Sequence, residues 1–365
     1  MSKNNLRSWL LLASYAGLFC MHMGISYAQE AWNLKLEPLY LEVSGADHNQ
    51  ANINTTIVNY SPSPYHYITQ SFITSQRFDL GGNVTFRGQL EYKPTDWGIG
   101  ISGWWFDTSD SINRTLNSSS TLTDYTKPYT LAHLNYTSTN FSLSAPPSNF
   151  GSVLSTSAQS QLGVWNLDLY GIKQLDEFEY GRVNLTFGAK LGAMDNKVTE
   201  IDNQGPIRYA YKYNISIYSK HGTAANSANT DILAGPSLGI QGLGKYGGHR
   251  IEGLLNQSVL IGNVNRKTIS SLYTFTSNQD YYFSGTRYSN YSSFTDLSDS
   301  ETVVIPVTDV KIKYLYDVTE NLSLGLGFFA SVWWDAPKIP AAQFNDREYK
   351  TLVFYGGLAS VDVRF

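Results

Sequence analysis

From Arg77 to Tyr92 the side chains alternate in kind without a slip. Phe78, Leu80, Gly82, Val84, Phe86, Gly88, Leu90 and Tyr92 are apolar or small. Arg77, Asp79, Gly81, Asn83, Thr85, Arg87, Gln89 and Glu91 are, one glycine apart, polar. Successive side chains of a strand point to opposite faces, so the stretch reads as one long strand with a greasy and a charged face. An ordinary strand stops after about 5–6 residues. A closed barrel in lipid needs such ribbons, because one face meets hydrocarbon and the other a wet or packed lumen.

The unit recurs. Trp32–Val43 alternates with a shift of phase at Pro38, which predicts a bulge in the first strand. Further alternating stretches lie at 97–105, 165–169, 181–193, 232–240, 251–261, 304–314, 322–332 and 353–365. Short turns follow at 93–96, 176–177, 244–248 and 317–321. The long connections, 44–74, 107–158, 199–228, 266–300 and 335–348, are rich in Ser, Thr, Asn and Tyr and read as loops. Long and short connections alternate strictly. The expectation is therefore an all-β, transmembrane, antiparallel up-and-down barrel of about ten strands, with long extracellular loops and short periplasmic turns. Two more strands hidden in 201–228 or 266–300 would make twelve.

Composition supports a membrane barrel. Of the 365 residues only 15% are charged and 14% are aromatic, with 26 tyrosines; about 25% charge is usual in soluble domains. Beyond the N-terminus no apolar run reaches the ~18 residues of a membrane helix. Residues 1–28 read as a cleaved signal peptide: Lys3 and Arg7 precede the apolar Trp9–Phe19, and Ser26-Tyr27-Ala28 suits cleavage. Bulky Leu18 and Phe19 before Cys20 argue against a lipoprotein site. Residues 29–365 then form one barrel domain without cysteine. Its 24 basic and 30 acidic residues leave a net charge of −6, which argues against nucleic acid as partner.

Trp32, Trp97, Trp104, Trp105, Trp165, Trp333 and Trp334 lie in or at the ends of proposed strands and are expected to form the interfacial girdles. Tyr355, Val361, Val363 and the terminal Phe365 share one face of the last strand, like the C-terminal assembly signal of outer-membrane barrels. The pore-lining candidates are Arg77, Asp79, Arg87, Glu91, Asp168, Arg182, Lys190, Asp231, Arg250, Glu252, Asp309, Lys311 and Lys313; Lys35, Glu37, Asp362 and Arg364 share their faces. Positive and negative charges nearly balance, which suits either a structural ion-pair network or a weakly selective pore lining. Inward glycines, among them Gly98, Gly100, Gly188, Gly192, Gly235, Gly239, Gly325 and Gly327, are expected to widen the bore. The alternative is that they serve strand curvature. The histidines have no metal-ligand spacing, and neither a nucleophile elbow nor a phosphate loop occurs. No catalytic, cofactor or metal site is assigned.

With the strands laid out, the chain resembles the pore-forming major outer membrane proteins of the Legionella and Coxiella type. The stretches that carry the resemblance are WNLKLEPLYLEV (32–43), WNLDLYG (165–171), FGAKLGA (187–193), AGPSLGIQ (234–241), LGLGFFASVWW (324–334) and GGLASVDVRF (356–365). The resemblance implies a porin-like channel for small solutes in the bacterial outer membrane. The alternative is a non-conducting barrel that serves as a surface adhesin or structural protein. Expected partners are outer-membrane lipid and lipopolysaccharide and the barrel assembly machinery; a homo-oligomer is left open.

Overall fold

The computed structural model describes the backbone of residues 32–45, 50–60, 67–77, 80–118, 129–136, 152–211, 214–280, 285–337 and 349–365. The signal segment lies outside them.

Fourteen strands are present among the described residues: β1 (Trp32–Ser44), β2 (Gln50–Tyr60), β3 (Tyr67–Arg77), β4 (Asn83–Tyr92), β5 (Trp97–Ser118), β6 (Tyr129–Tyr136), β7 (Ser152–Phe178), β8 (Gly181–Tyr211), β9 (Asn214–Thr230), β10 (Leu233–Tyr246), β11 (His249–Asp280), β12 (Gly285–Asp317), β13 (Leu322–Pro337) and β14 (Tyr349–Arg364). The ring runs β1-β4-β5-β7-β8-β10-β11-β12-β13-β14 and returns to β1, antiparallel throughout. Its two ends are joined by reciprocal backbone hydrogen bonds between Trp32 and Phe365, at 3.0 and 3.1 Å. Closure leaves no unpaired edge at the level of the membrane, which an aqueous-phase sandwich would not need.

The ring has ten positions. β9 and β10 share one of them, because both run antiparallel to β8 and to β11 at successive levels. Where they meet, Thr230, Asp231 and Ile232 stand opposite two residues of β8, Ala193 and Met194. This is a bulge. The Met194 amide donates to Thr230 Oγ1 at 2.8 Å and the Asp231 amide to Asn263 O at 2.8 Å.

The faces are inverted relative to a soluble protein. Outward are Leu36, Val84, Phe86, Ile99, Leu169, Leu238, Ile240, Ile251, Leu255, Val310, Ile312, Leu326 and others, all exposed. Inward, and buried, are Lys35, Glu37, Arg87, Glu91, Lys190, Glu252, Lys311, Lys313 and Asp362. Greasy residues on the outside of a closed cylinder with charges within is the arrangement lipid dictates and water forbids.

Four expectations need correction. First, the strand read over Arg77–Tyr92 begins at Asn83; Arg77 ends β3 in a separate three-stranded sheet, β3-β2-β6, and Asp79 lies outside the described residues. Second, β1 has no bulge at Pro38. Its register with β4 is unbroken from Trp32 to Leu41, and Lys35, Glu37, Leu39 and Leu41 all face inward. What changes at Pro38 is the chemistry of the lumen. Third, much of the sequence read as loop is strand. β7, β8, β11 and β12 have 27, 31, 32 and 33 residues, whereas about 9–11 cross a bilayer. Their far portions continue as a paired wall beyond the belt; on β12 residues 289–298 are, Ser293 apart, exposed on both faces, so no apolar alternation marks them. Of the extra strands, β9 lengthens this wall, while β2, β3 and β6 pair only with one another; none of them widens the ring. Fourth, the turn after β7 is Glu179-Tyr180, not Asp176-Glu177.

Candidate functional site

The site is the lumen. It is built in two layers, and the inward residues change character at one level on several strands. On β1, Lys35 and Glu37 give way to Leu39 and Leu41. On β12, Lys313, Lys311 and Asp309 give way to Val307, Ile305 and Val303. On β5 Ser102 gives way to Trp104 and Phe106, and on β14 Asp362 and Ser360 give way to Leu358 and Phe354. The polar layer lies toward the short turns and the apolar layer toward the long connections.

The polar layer is built of ion-pair clusters, the largest centred on Glu37 and Glu252. Glu37 accepts from Arg87, from Lys311 at 3.0 Å and from Lys313 at 3.1 Å. Lys313 also meets Asp362 at 2.9 Å. Lys35 joins Glu252 at 2.8 Å and Glu91 at 3.2 Å. Lys190 bridges Asp168, at 3.1 Å, and Asp309, whose other oxygen accepts from Ser331 at 2.6 Å. Near the turns, Arg250 holds Asp317 at 2.9 Å. The side chains of Lys190, Lys311 and Lys313 are fully buried. Charges taken out of water persist only when each finds its counter-charge, and here the near balance of signs across β1, β4, β7, β8, β11, β12 and β14 supplies that.

The apolar layer closes the bore above the network. Trp104 packs against Phe329 and Phe354, with centroids 5.8 and 5.5 Å apart, and Phe106 against Phe354 at 5.3 Å. Trp333, fully buried, reaches from β13 to the wall four strand positions away, where its Cη2 stands 3.0 Å from the place of a Cβ on Gly192. The inward glycines divide. Gly100 and Gly192 leave room for large neighbours, since a Cβ on Gly100 would meet the Tyr170 ring and one on Gly192 would stand 3.0 Å from Trp333. At Gly188, Gly235, Gly325 and Gly327 a Cβ would meet a backbone oxygen of the neighbouring strand, so there they serve the close approach of strands, as the alternative reading has it.

Between the layers lies a cavity of about 30 Å³, lined by Arg87, Gln89, Glu91, Trp104, Asp168, Tyr170, Asn256, Asp309 and Phe329 among others. It has room for roughly two water molecules.

Of the sequence-derived lining residues, Arg87, Glu91, Asp168, Lys190, Arg250, Glu252, Asp309, Lys311 and Lys313 meet in the lumen, and Arg182 is half-buried on the same face. Asp231 does not. It sits exposed at the bulge, where Asn265 Nδ2 donates to it at 2.9 Å, because the extra residue turns it outward. The tryptophans also divide. Trp32, Trp97, Trp165 and Trp334 are exposed on the outer face, and Trp105 pairs with Trp165 beside them. Trp104 and Trp333 point inward and belong to the plug. Trp97 and Trp105 are eight residues apart on β5, about 26 Å along the strand, which at a tilt of about 35–45° spans roughly 20 Å of the apolar band of about 25 Å.

The girdle near the turns also uses residues that a search for tryptophan misses. Trp32 packs at a tilt against Tyr92 with centroids 4.6 Å apart, Tyr180 meets Tyr246 at 6.1 Å, and His249 contacts both Tyr314 and Tyr316. Tyrosine at strand ends was the signal for them. Tyr355, Val361 and Phe365 are exposed on the outer face, with Val363 half-buried on the same side.

No protein-family model and no curated protein matches the chain. Among solved structures it is similar to the outer membrane protease OmpT from Escherichia coli, at 12% identity over 94% of this chain and 99% of that one, with a TM-score of 0.40. It is also similar to the Pseudomonas putida toluene transporter TodX, at 9% identity over 93% and 91%, TM-score 0.24. A third is the Ralstonia pickettii toluene transporter TbuX, at 10% identity over 92% and 90%, TM-score 0.24. At these identities and TM-scores none of them bears on what this chain does.

Proposed function

We propose that the protein is a bacterial outer-membrane barrel closed to solutes in its resting form, with a tall extracellular wall that presents it to its surroundings. One observation carries the reading. Among the described residues, the inward side chains at the level of the belt are largely buried, as paired charges below and interlocked aromatic rings above, and the cavity between them has room for about two waters. A passive pore of the kind the sequence resemblance implies needs an aqueous path, and eight-stranded barrels filled by side chains show how a ring near this size is closed. The reading assigns the protein no reaction. The wall is supported as the exposed part by Tyr273, Tyr291, Phe294 and Leu297, which stand open on β11 and β12 beyond the belt.

Refolded protein in planar bilayers tests this. Folding is checked by the shift in gel mobility between unheated and boiled samples. A folded barrel that gives no current steps supports closure. Discrete steps from the unmodified protein would return the function to passive diffusion.

A further inference from the structure

We infer that the aromatic plug of Trp104, Phe106, Phe329, Trp333 and Phe354, and not the ion-pair network, is the barrier to water and small ions. The inference rests on the closed-barrel reading and says which layer does the closing.

The two layers differ in how water wets them. The network is made of groups that water solvates, and the cavity at its upper limit is lined by them. Where that cavity meets the plug, several buried polar atoms have no protein partner: Trp104 Nε1, both polar atoms of the Asn166 amide and Asp168 Oδ1. Asn166 stands opposite Trp104 in the ladder, and Asp168 and Trp104 both line the cavity. The set contains donors and acceptors together. An ion would satisfy one kind and oppose the other, whereas water satisfies both. The polar layer is thus a compartment suited to water up to the underside of Trp104. Above that level the inward side chains of β1, β5, β12 and β14 are apolar through Leu41, Phe106, Val303 and Leu352, and an apolar constriction blocks permeation by staying dry. Trp333 reaches across the bore to Gly192 on β8.

The test compares three forms of the full mature chain in planar bilayers in potassium chloride, each first shown to be folded by heat-dependent gel mobility. They are the unmodified protein, the plug variant Trp104→Ala with Phe354→Ala, and the charge-balanced network variant Lys313→Gln with Asp362→Asn. Phe329→Ala alone is the second plug variant should the double variant not fold. The expected result is that only the plug variants conduct. A folded plug variant as silent as the unmodified protein overturns the inference, as does a network variant that conducts. Current through the unmodified protein is a different failure, since it removes the closed-barrel reading itself.

Discussion

Glu37 shows how much one residue carries in a lumen of this width. Its carboxylate receives Arg87, Lys311 and Lys313, and its side chain is fully buried. Glu37→Gln keeps the shape and removes the charge that three cations share. Leaving buried charges without their counter-charge costs about 3–5 kcal/mol. The expected outcome is a folded barrel with a lower urea midpoint in detergent micelles, corresponding to an unfolding free energy lower by about that amount. An unchanged midpoint would mean that water or a neighbouring acid takes over the role. The same residue explains a misreading at Pro38. Apolar residues at positions 39 and 41 suggest a slipped phase only if the lumen is assumed polar to the top, and it is not.

At the scale of the element, the bulge between β9 and β10 decides which side chains face lipid. Inward residues are even-numbered on β9 (Ala224, Ala228) and odd-numbered on β10 (Leu233, Ser237, Gly239, Gln241). One extra residue reverses the alternation, as it must where the side-chain period is two. Removing Ile232 therefore restores an unbroken ladder and is expected to leave a folded, heat-shiftable barrel. Inserting one alanine after Val310 is expected to abolish folding. β12 has no bulge there to absorb it, and one half of the strand would turn its inward face to lipid. With Lys311 and Lys313 turned outward, each lysine near the midplane costs about 2–4 kcal/mol. The two changes are compared by the folded fraction on unheated gels. Equal fractions would contradict the assigned register.

At the scale of the molecule, the barrel and the wall are separable in their energetics. The buried apolar cluster ends at Val264 on β11 and Val303 on β12, and residues 289–298 of β12 are, Ser293 apart, exposed on both faces. Replacing residues 271–294 with a two-residue turn is expected to leave the barrel folded, with a thermal midpoint within a few degrees of the full chain and the same silence in bilayers. A collapse of the folded fraction would show that the wall braces the ring. The wall is also where the sequence is least legible. Serine, threonine, asparagine and tyrosine alternate with nothing contrasting when both faces meet water, so the period-two signal disappears although the ladder continues.

The sequence by itself determined the closed ring, its ten positions, its antiparallel order and the side of each strand that meets lipid. That is because hydrocarbon on one face and charges on the other impose an alternation readable one strand at a time, as at Val310–Tyr314 and Leu322–Val332. The tertiary structure alone decided what lies inside the cylinder. That question depends on which side chains meet across the bore, Trp333 with Gly192, Lys311 with Glu37, Lys190 with Asp168 and Asp309, and these partners come from strands far apart in the chain. A single strand's pattern says that Trp104 alternates and that Gly100 is small; only the closed ring shows that one is packed inside the barrel and the other lies under Tyr170.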